Sequence, residues 1–193
     1  KEDLMRSFSL SDNSIYSIYK DYEGGIWIGT MFGGVNYLPN RNLTFAKYVP
    51  GSDPYSLNTK RIRGLAEDNN GCIWIGTEDN GVNVLDPRTG KVHQIYDNVP
   101  GRLITLSVKH YENHIYVGLF KQGMNDISIP GEHLKYVSDK DLGIEEGSVY
   151  SFLKDSKGRT WIGPGWGLYV SQPKERKFHR VEEVGYNWVF DIM

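Results

Sequence analysis

Residues 14–38 read SIYSIYKDYEGGIWIGTMFGGVNYL, and the pattern returns at 60–85 as KRIRGLAEDNNGCIWIGTEDNGVNVL. A looser copy, LITLSVKHYENHIYVGLFKQGMNDI, occupies 103–127, and a fourth, GSVYSFLKDSKGRTWIGPGWGLYV, occupies 147–170. Anchor aromatics Trp27, Trp74, Tyr116 and Trp161 stand 47, 42 and 45 residues apart. Each is followed two residues later by Gly29, Gly76, Gly118 or Gly163. A further glycine, Gly34, Gly81, Gly123 or Gly167, comes four or five residues after that. Four returns in register make this a repeat protein.

One copy resolves into four short strands. Ile15–Lys20 alternates apolar and polar side chains, and Asp21-Tyr22-Glu23-Gly24 follows with turn chemistry. Ile26–Thr30 sets Ile26 and Ile28 against Trp27 on opposite faces, and Gly33-Gly34 turns the chain into Val35–Leu38. Pro39-Asn40-Arg41-Asn42 turns it again into Thr44–Val49, and the other fourth strands fall at Val92–Tyr96, Leu134–Val137 and Phe178–Val181. No segment sustains a helical period.

A four-stranded antiparallel meander repeated at this interval is a β-propeller blade. The pattern predicts an all-β chain with blades at about 9–49, 57–97, 102–138 and 146–182. Partial blades flank them, a last strand at 1–8 and a first strand at 186–193. A blade is apolar on both faces, so the Trp should fill the widening gap to its neighbour, with the following glycine leaving it room. An open run would leave two sheet faces uncovered, which favours self-association.

Composition excludes several function classes. A net charge of −2 and the absence of any Lys/Arg run argue against nucleic acid. The single Cys72, within a strand hairpin, permits no intrachain disulfide or multi-cysteine metal site. No apolar stretch is long enough to span a membrane, and nothing after Lys1 reads as a signal peptide. His110 and His114 are four apart, a metal-ligand spacing on a helix but a solvated turn here. Asp21, Asp68 and Asp155 recur at one turn position, which marks a repeated cap rather than a catalytic acid. No catalytic residue, metal site or cofactor is predicted.

Function is therefore expected where the copies differ, in the loops between second and third strands and in the connections between blades. The loops carry Met31-Phe32, Glu78-Asp79-Asn80, Phe120-Lys121-Gln122 and Trp166; the connections carry Asp53-Pro54-Tyr55, Arg102, Glu145-Glu146 and Tyr186-Asn187-Trp188. Exposed rings beside amide and acidic groups suit sugar recognition, so the candidate ligand-binding set is Phe32, Glu78, Asp79, Asn80, Phe120, Gln122, Trp166 and Trp188. The competing reading is that Phe32, Phe120 and Trp166 shield neighbouring blades.

SLSDNSIYSIYKDYEGGIWIGTMFGGVNYL and SLNTKRIRGLAEDNNGCIWIGTEDNGVNVLD closely resemble the two-component regulator propeller repeat. The resemblance implies part of a seven-bladed propeller in the periplasmic sensor region of a Bacteroides-type hybrid two-component system. Such sensors often recognise oligosaccharides and are anchored in the inner membrane ahead of kinase and regulator modules. Its implied partners are an oligosaccharide and the remaining blades of the parent protein. The fourth copy has Pro164 in place of the threonine; the third has Tyr116 for Trp, Leu119 for Thr, and His110-Tyr111-Glu112-Asn113 for the Asp-x-x-Gly turn. Asp-x-x-Gly-x-x-Trp repeats are also similar to those of streptogramin lyase-like propeller enzymes, but the WIGT wording and the lack of a suitably placed His favour the sensor. A purely structural scaffold is the third alternative.

Overall fold

The computed structural model describes residues 9–40, 45–95, 104–129 and 133–192. The expected strand at 1–8, Arg41, Asn42, Thr44, Tyr96 and Arg102 lie outside the described residues. The chain divides into two compact units, Lys1–Val108 and Lys109–Met193.

Among the described residues sixteen strands form four antiparallel meanders, each in sequence order. The first holds β1 (Ile15–Lys20), β2 (Ile26–Thr30), β3 (Val35–Leu38) and β4 (Ala46–Tyr48). The second holds β5 (Ile62–Glu67), β6 (Ile73–Thr77), β7 (Val82–Leu85) and β8 (Val92–Ile95). The third holds β9 (Thr105–Tyr111), β10 (His114–Leu119), β11 (Met124–Ser128) and β12 (His133–Val137), with the unit boundary falling inside β9. The fourth holds β13 (Ser151–Lys154), β14 (Thr160–Gly163), β15 (Tyr169–Ser171) and β16 (His179–Arg180).

The repeated residues each have a physical task. Asp21 Oδ1 accepts from the Gly25 N–H at 2.7 Å while Oδ2 accepts from the Trp27 indole N–H at 2.8 Å. Asp68 does the same for Asn70, Cys72 and Trp74, and Asp155 for Lys157, Arg159 and Trp161. One carboxylate thus closes the hairpin and pins the ring, which is buried at Trp27 and Trp74 and half-buried at Trp161, a bond the turn reading alone did not anticipate. Trp27 packs with Leu57, Ile62, Ile73 and Ile75, filling the space toward the second sheet. The glycine after it makes room for the neighbouring sheet more than for the ring: a Cβ on Gly29 would come within 2.8 Å of Ile62 Cγ2, and one on Gly76 within 2.5 Å of both Thr105 and Val108. Thr30 and Thr77 donate to the carbonyls of Gly34 and Gly81, each at 2.8 Å, and so cap the β2–β3 and β6–β7 loops.

The later glycine does more than turn the chain. Gly34 N–H donates to the Lys60 carbonyl, Gly123 to Gly147 and Gly167 to Asn187, so each ties its loop to a segment lying beyond its own sheet. Asn36 and Asn83, both fully buried, are tied by two hydrogen bonds each to Ser11 and Asn58 in the segments leading into their own sheets.

Two expectations need correction. Residues 187–192 form no strand: Val189 lies against Gly163, where Ile62 and Thr105 lie against Gly29 and Gly76, but no described strand pairs with it. An extended segment becomes a strand only when a second one satisfies its backbone groups. A single helical turn, α1 (Asp139–Leu142), was also not foreseen; Ser138 caps its start and Gly143, at φ 76°, its end.

In the fourth sheet the Trp161 indole N–H, followed by Arg159, holds the Asp155 carboxyl well below the usual carboxylate range. Its folded pKa is depressed, so its contribution is fully present above pH ~4 and is lost as pH falls through the folded value. We expect Asp155→Asn to lower Tm near neutrality, with the gap to wild type closing below pH ~4; a gap independent of pH would show that the charge is not what matters.

Candidate functional site

Register fixes which ends meet. Ile15 faces Thr30 across β1 and β2, and Val35 faces Tyr48 across β3 and β4. The β2–β3 loop therefore lies at the same end of the sheet as the chain entering β1 and leaving β4. Ile62↔Thr77 and Val82↔Ile95 repeat this in the second sheet. The loop residues singled out by sequence sit at these ends.

In the first unit the structure gathers Phe32, Glu78 and Asp79 around two arginines that sequence reasoning passed over. Phe32 is half exposed, and its N–H donates to Asp12 Oδ2 at 2.7 Å. The Arg61 guanidinium lies 5.8 Å from its ring centre and 3.6 Å from Asp79. Arg63 meets Glu78 through both Nε (3.0 Å) and Nη2 (2.9 Å) and stacks 4.5 Å over Tyr16. Tyr16 and Arg63 occupy the irregularity in β1–β2 and β5–β6 pairing, between Ile15/Ser17 and Ile62/Gly64. Such bulges re-aim a side chain, and their recurrence in two copies was the available signal. Asn80 exchanges hydrogen bonds with Asn58 and caps on Thr77. Glu78 and Asn80 are thus engaged by the protein itself.

In the second unit the outcome differs. Trp166 and Trp188 come together, ring centres 5.2 Å apart, and Trp188 stacks on Phe190 at 5.4 Å. Tyr150 meets Trp188 and Phe190 edge-on at 5.8 and 5.6 Å. Trp166 is 46% and Trp188 47% exposed, so both offer ring faces to solvent. Beneath Trp166's loop Glu146 Oε2 is buried with no hydrogen-bond partner among the described residues, while Oε1 accepts from Ser148 at 3.4 Å. A Cβ on Gly165 would collide with that carboxylate. Phe120 is half-buried under the Lys121 ammonium at 5.1 Å, and Gln122 is half-buried.

The histidines do not converge. His110 Nε2 bonds the Glu112 carbonyl at 2.8 Å, and His114 Nδ1 bonds Asp126 at 2.6 Å, so His114 is a half-buried, paired residue rather than part of a solvated turn. Among the described residues no group of three His, Cys, Asp or Glu could hold a metal, and no helix is long and apolar enough to cross a membrane. Cys72 is half-buried and forms no disulfide.

Residues 9–32 and 56–79 match the two-component regulator propeller family. No curated protein matches the chain. Among solved structures it is similar to the extracellular domain of a hybrid two-component system from B. thetaiotaomicron, at 23% identity and a TM-score of 0.79, over 96% of this chain and 26% of that one. A second such domain from the same organism gives 16% identity and a TM-score of 0.78, over 100% and 26%. The β-propeller domain of Cps50 (Swd1) from Myceliophteria thermophila gives 14% and 0.64, over 96% and 60%. At these identities the likeness establishes the fold, a run of β-propeller blades, and the chain spans about a quarter of the length of the first two structures.

Proposed function

We propose that this chain, which carries two-component regulator propeller repeats, is part of the periplasmic sensor region of a signalling protein and contributes to recognition of an oligosaccharide. The observation that supports the reading most is the ring cluster at Trp166 and Trp188. Two half-exposed indoles braced by Phe190 and Tyr150 offer flat apolar faces to solvent. Sugar rings need an apolar face to stack on, and paired indoles supply one. The parent protein's other blades and its output modules belong to the same proposal.

Titration of the chain with a panel of neutral and acidic oligosaccharides, followed by tryptophan emission and calorimetry, tests this. A binding sugar should shift the emission. Trp166→Ala and Trp188→Ala should each weaken binding about tenfold, or about 1.4 kcal/mol, with Trp166→Tyr restoring part of it. Binding that both alanine variants leave unchanged would remove the cluster from the site.

A further inference from the structure

We propose that a groove between the third and fourth sheets, within the second unit, is a separate binding site for a small organic anion with an apolar body. The groove is a cleft of about 550 Å³, within the ordinary range for small-molecule sites. Its apolar floor comprises Tyr116, Met124, Leu142, Phe152 and Phe178. Trp166 and Trp188 do not line it.

The opening is described by two differences between the third copy and the first; in the second and fourth copies Val84 and Val170 stand opposite the Trp. In the first sheet Trp27 stands opposite Tyr37 in the β2–β3 register, and the two rings stack at 4.4 Å. In the third sheet the corresponding pair is Tyr116 and Asp126. The smaller ring replaces an indole, and the place of the stacking ring is taken by a carboxylate held aside by His114 at 2.6 Å. Space filled by aromatic carbon in one copy is left open in the other. Tyr116 remains desolvated there, its phenol pushed up to about 12 by burial.

Charge on the rim decides the occupant. Lys135, Lys140, Arg176 and Lys177 border the groove, and none makes an ion pair among the described residues. Lys140 is brought there by α1, the helical turn between the two sheets. The acids on the same rim are already engaged. Asp141 accepts from the Ser138 hydroxyl at 2.7 Å, Glu175 from the Gln172 N–H at 3.1 Å, and Asp126 is held by His114 while facing Lys135 across β11 and β12. A greasy floor beneath uncommitted cations fits an apolar body carrying a carboxylate, sulfonate or phosphate.

The test uses 8-anilinonaphthalene-1-sulfonate as the anionic probe and N-phenyl-1-naphthylamine as its uncharged counterpart, with the whole chain. Wild type should bind the anion saturably at one site and at least fivefold more tightly than the neutral probe. Asp126→Tyr, which supplies the ring found in the first copy, should weaken anion binding at least tenfold. Joint Lys140→Glu and Arg176→Glu, both exposed, should weaken the anion at least tenfold and leave the neutral probe within twofold. Trp166→Ala and Trp188→Ala should leave anion binding unchanged, which separates this site from the proposed sugar site. Equal affinity for both probes in wild type, anion binding indifferent to rim reversal, or its loss in the Trp variants would each overturn the proposal.

Discussion

Asp68→Ala is expected to destabilise the chain by about 3 kcal/mol, a fall in Tm of about 6–12 °C for a chain of this size. The carboxylate accepts from the Asn70 and Cys72 N–H groups at 2.8 and 3.0 Å and from the Trp74 indole at 2.9 Å. Trp74 is 1% and Asp68 8% exposed, so removing the acceptor leaves the indole N–H unpaired in a largely buried place. An orphaned buried donor costs about 1–3 kcal/mol, and loss of the turn cap adds about 1. Asp68→Asn keeps the shape and one acceptor, and should fall roughly midway. Urea unfolding followed by circular dichroism gives the order wild type, Asn, Ala. A coupling energy of about 1–2 kcal/mol in a cycle with Trp74→Phe would assign the loss to this bond. If Asp68→Ala costs less than about 0.5 kcal/mol, the carboxylate does not hold the ring.

The second large effect is expected at Gly123. It has φ 80°, and a Cβ there would run into the Val137 carbonyl oxygen and come 2.8 Å from Asp139 N. Both obstacles are backbone and cannot swing aside. Gly123→Ala should cost about 3–4 kcal/mol, of which the left-handed backbone accounts for about 1–2 and the collision for the rest. Gly158 supplies the comparison: its φ is 77°, but the nearest atom to a Cβ is Pro173 Cγ at 3.6 Å. Gly158→Ala should cost about 1 kcal/mol. Equal losses at the two positions would mean that backbone conformation alone matters and that the close approach is relieved by a small shift.

Much of this was legible because repetition turns a weak local signal into a strong one. The strands of the first two sheets follow from alternation and from glycine and aspartate at fixed offsets, and the paired sheets stand where those residues set them. The third copy was readable as a departure, Tyr116 for Trp, but not as a cavity, because the missing volume depends on Asp126 across the register. Arg61 and Arg63 escaped notice for a related reason. Their partners Glu78 and Asp79 are fifteen or more residues away, and only the bulge before Gly64 brings the groups together. The joining role of Gly34 was likewise hidden, since its acceptor, Lys60, lies in the approach to the next sheet. Of the rings proposed from loops, Trp166 and Trp188 meet because the chain after Gly185 passes back over Gly163 and Gly167, a path no local pattern encodes.

The Gly34 and Gly123 amides, each met by a carbonyl of the following repeat, set a rule for any genetic rearrangement of the array. A repeat excised at its own strand limits carries an unmet donor at one end and an unmet acceptor at the other. Duplication, deletion or transplantation should therefore be tolerated when the breakpoints keep Gly34 with Lys60, and Gly123 with Gly147, on one piece. Breakpoints in the approaches to the first strands would sever donor from acceptor and leave the inserted piece unmoored.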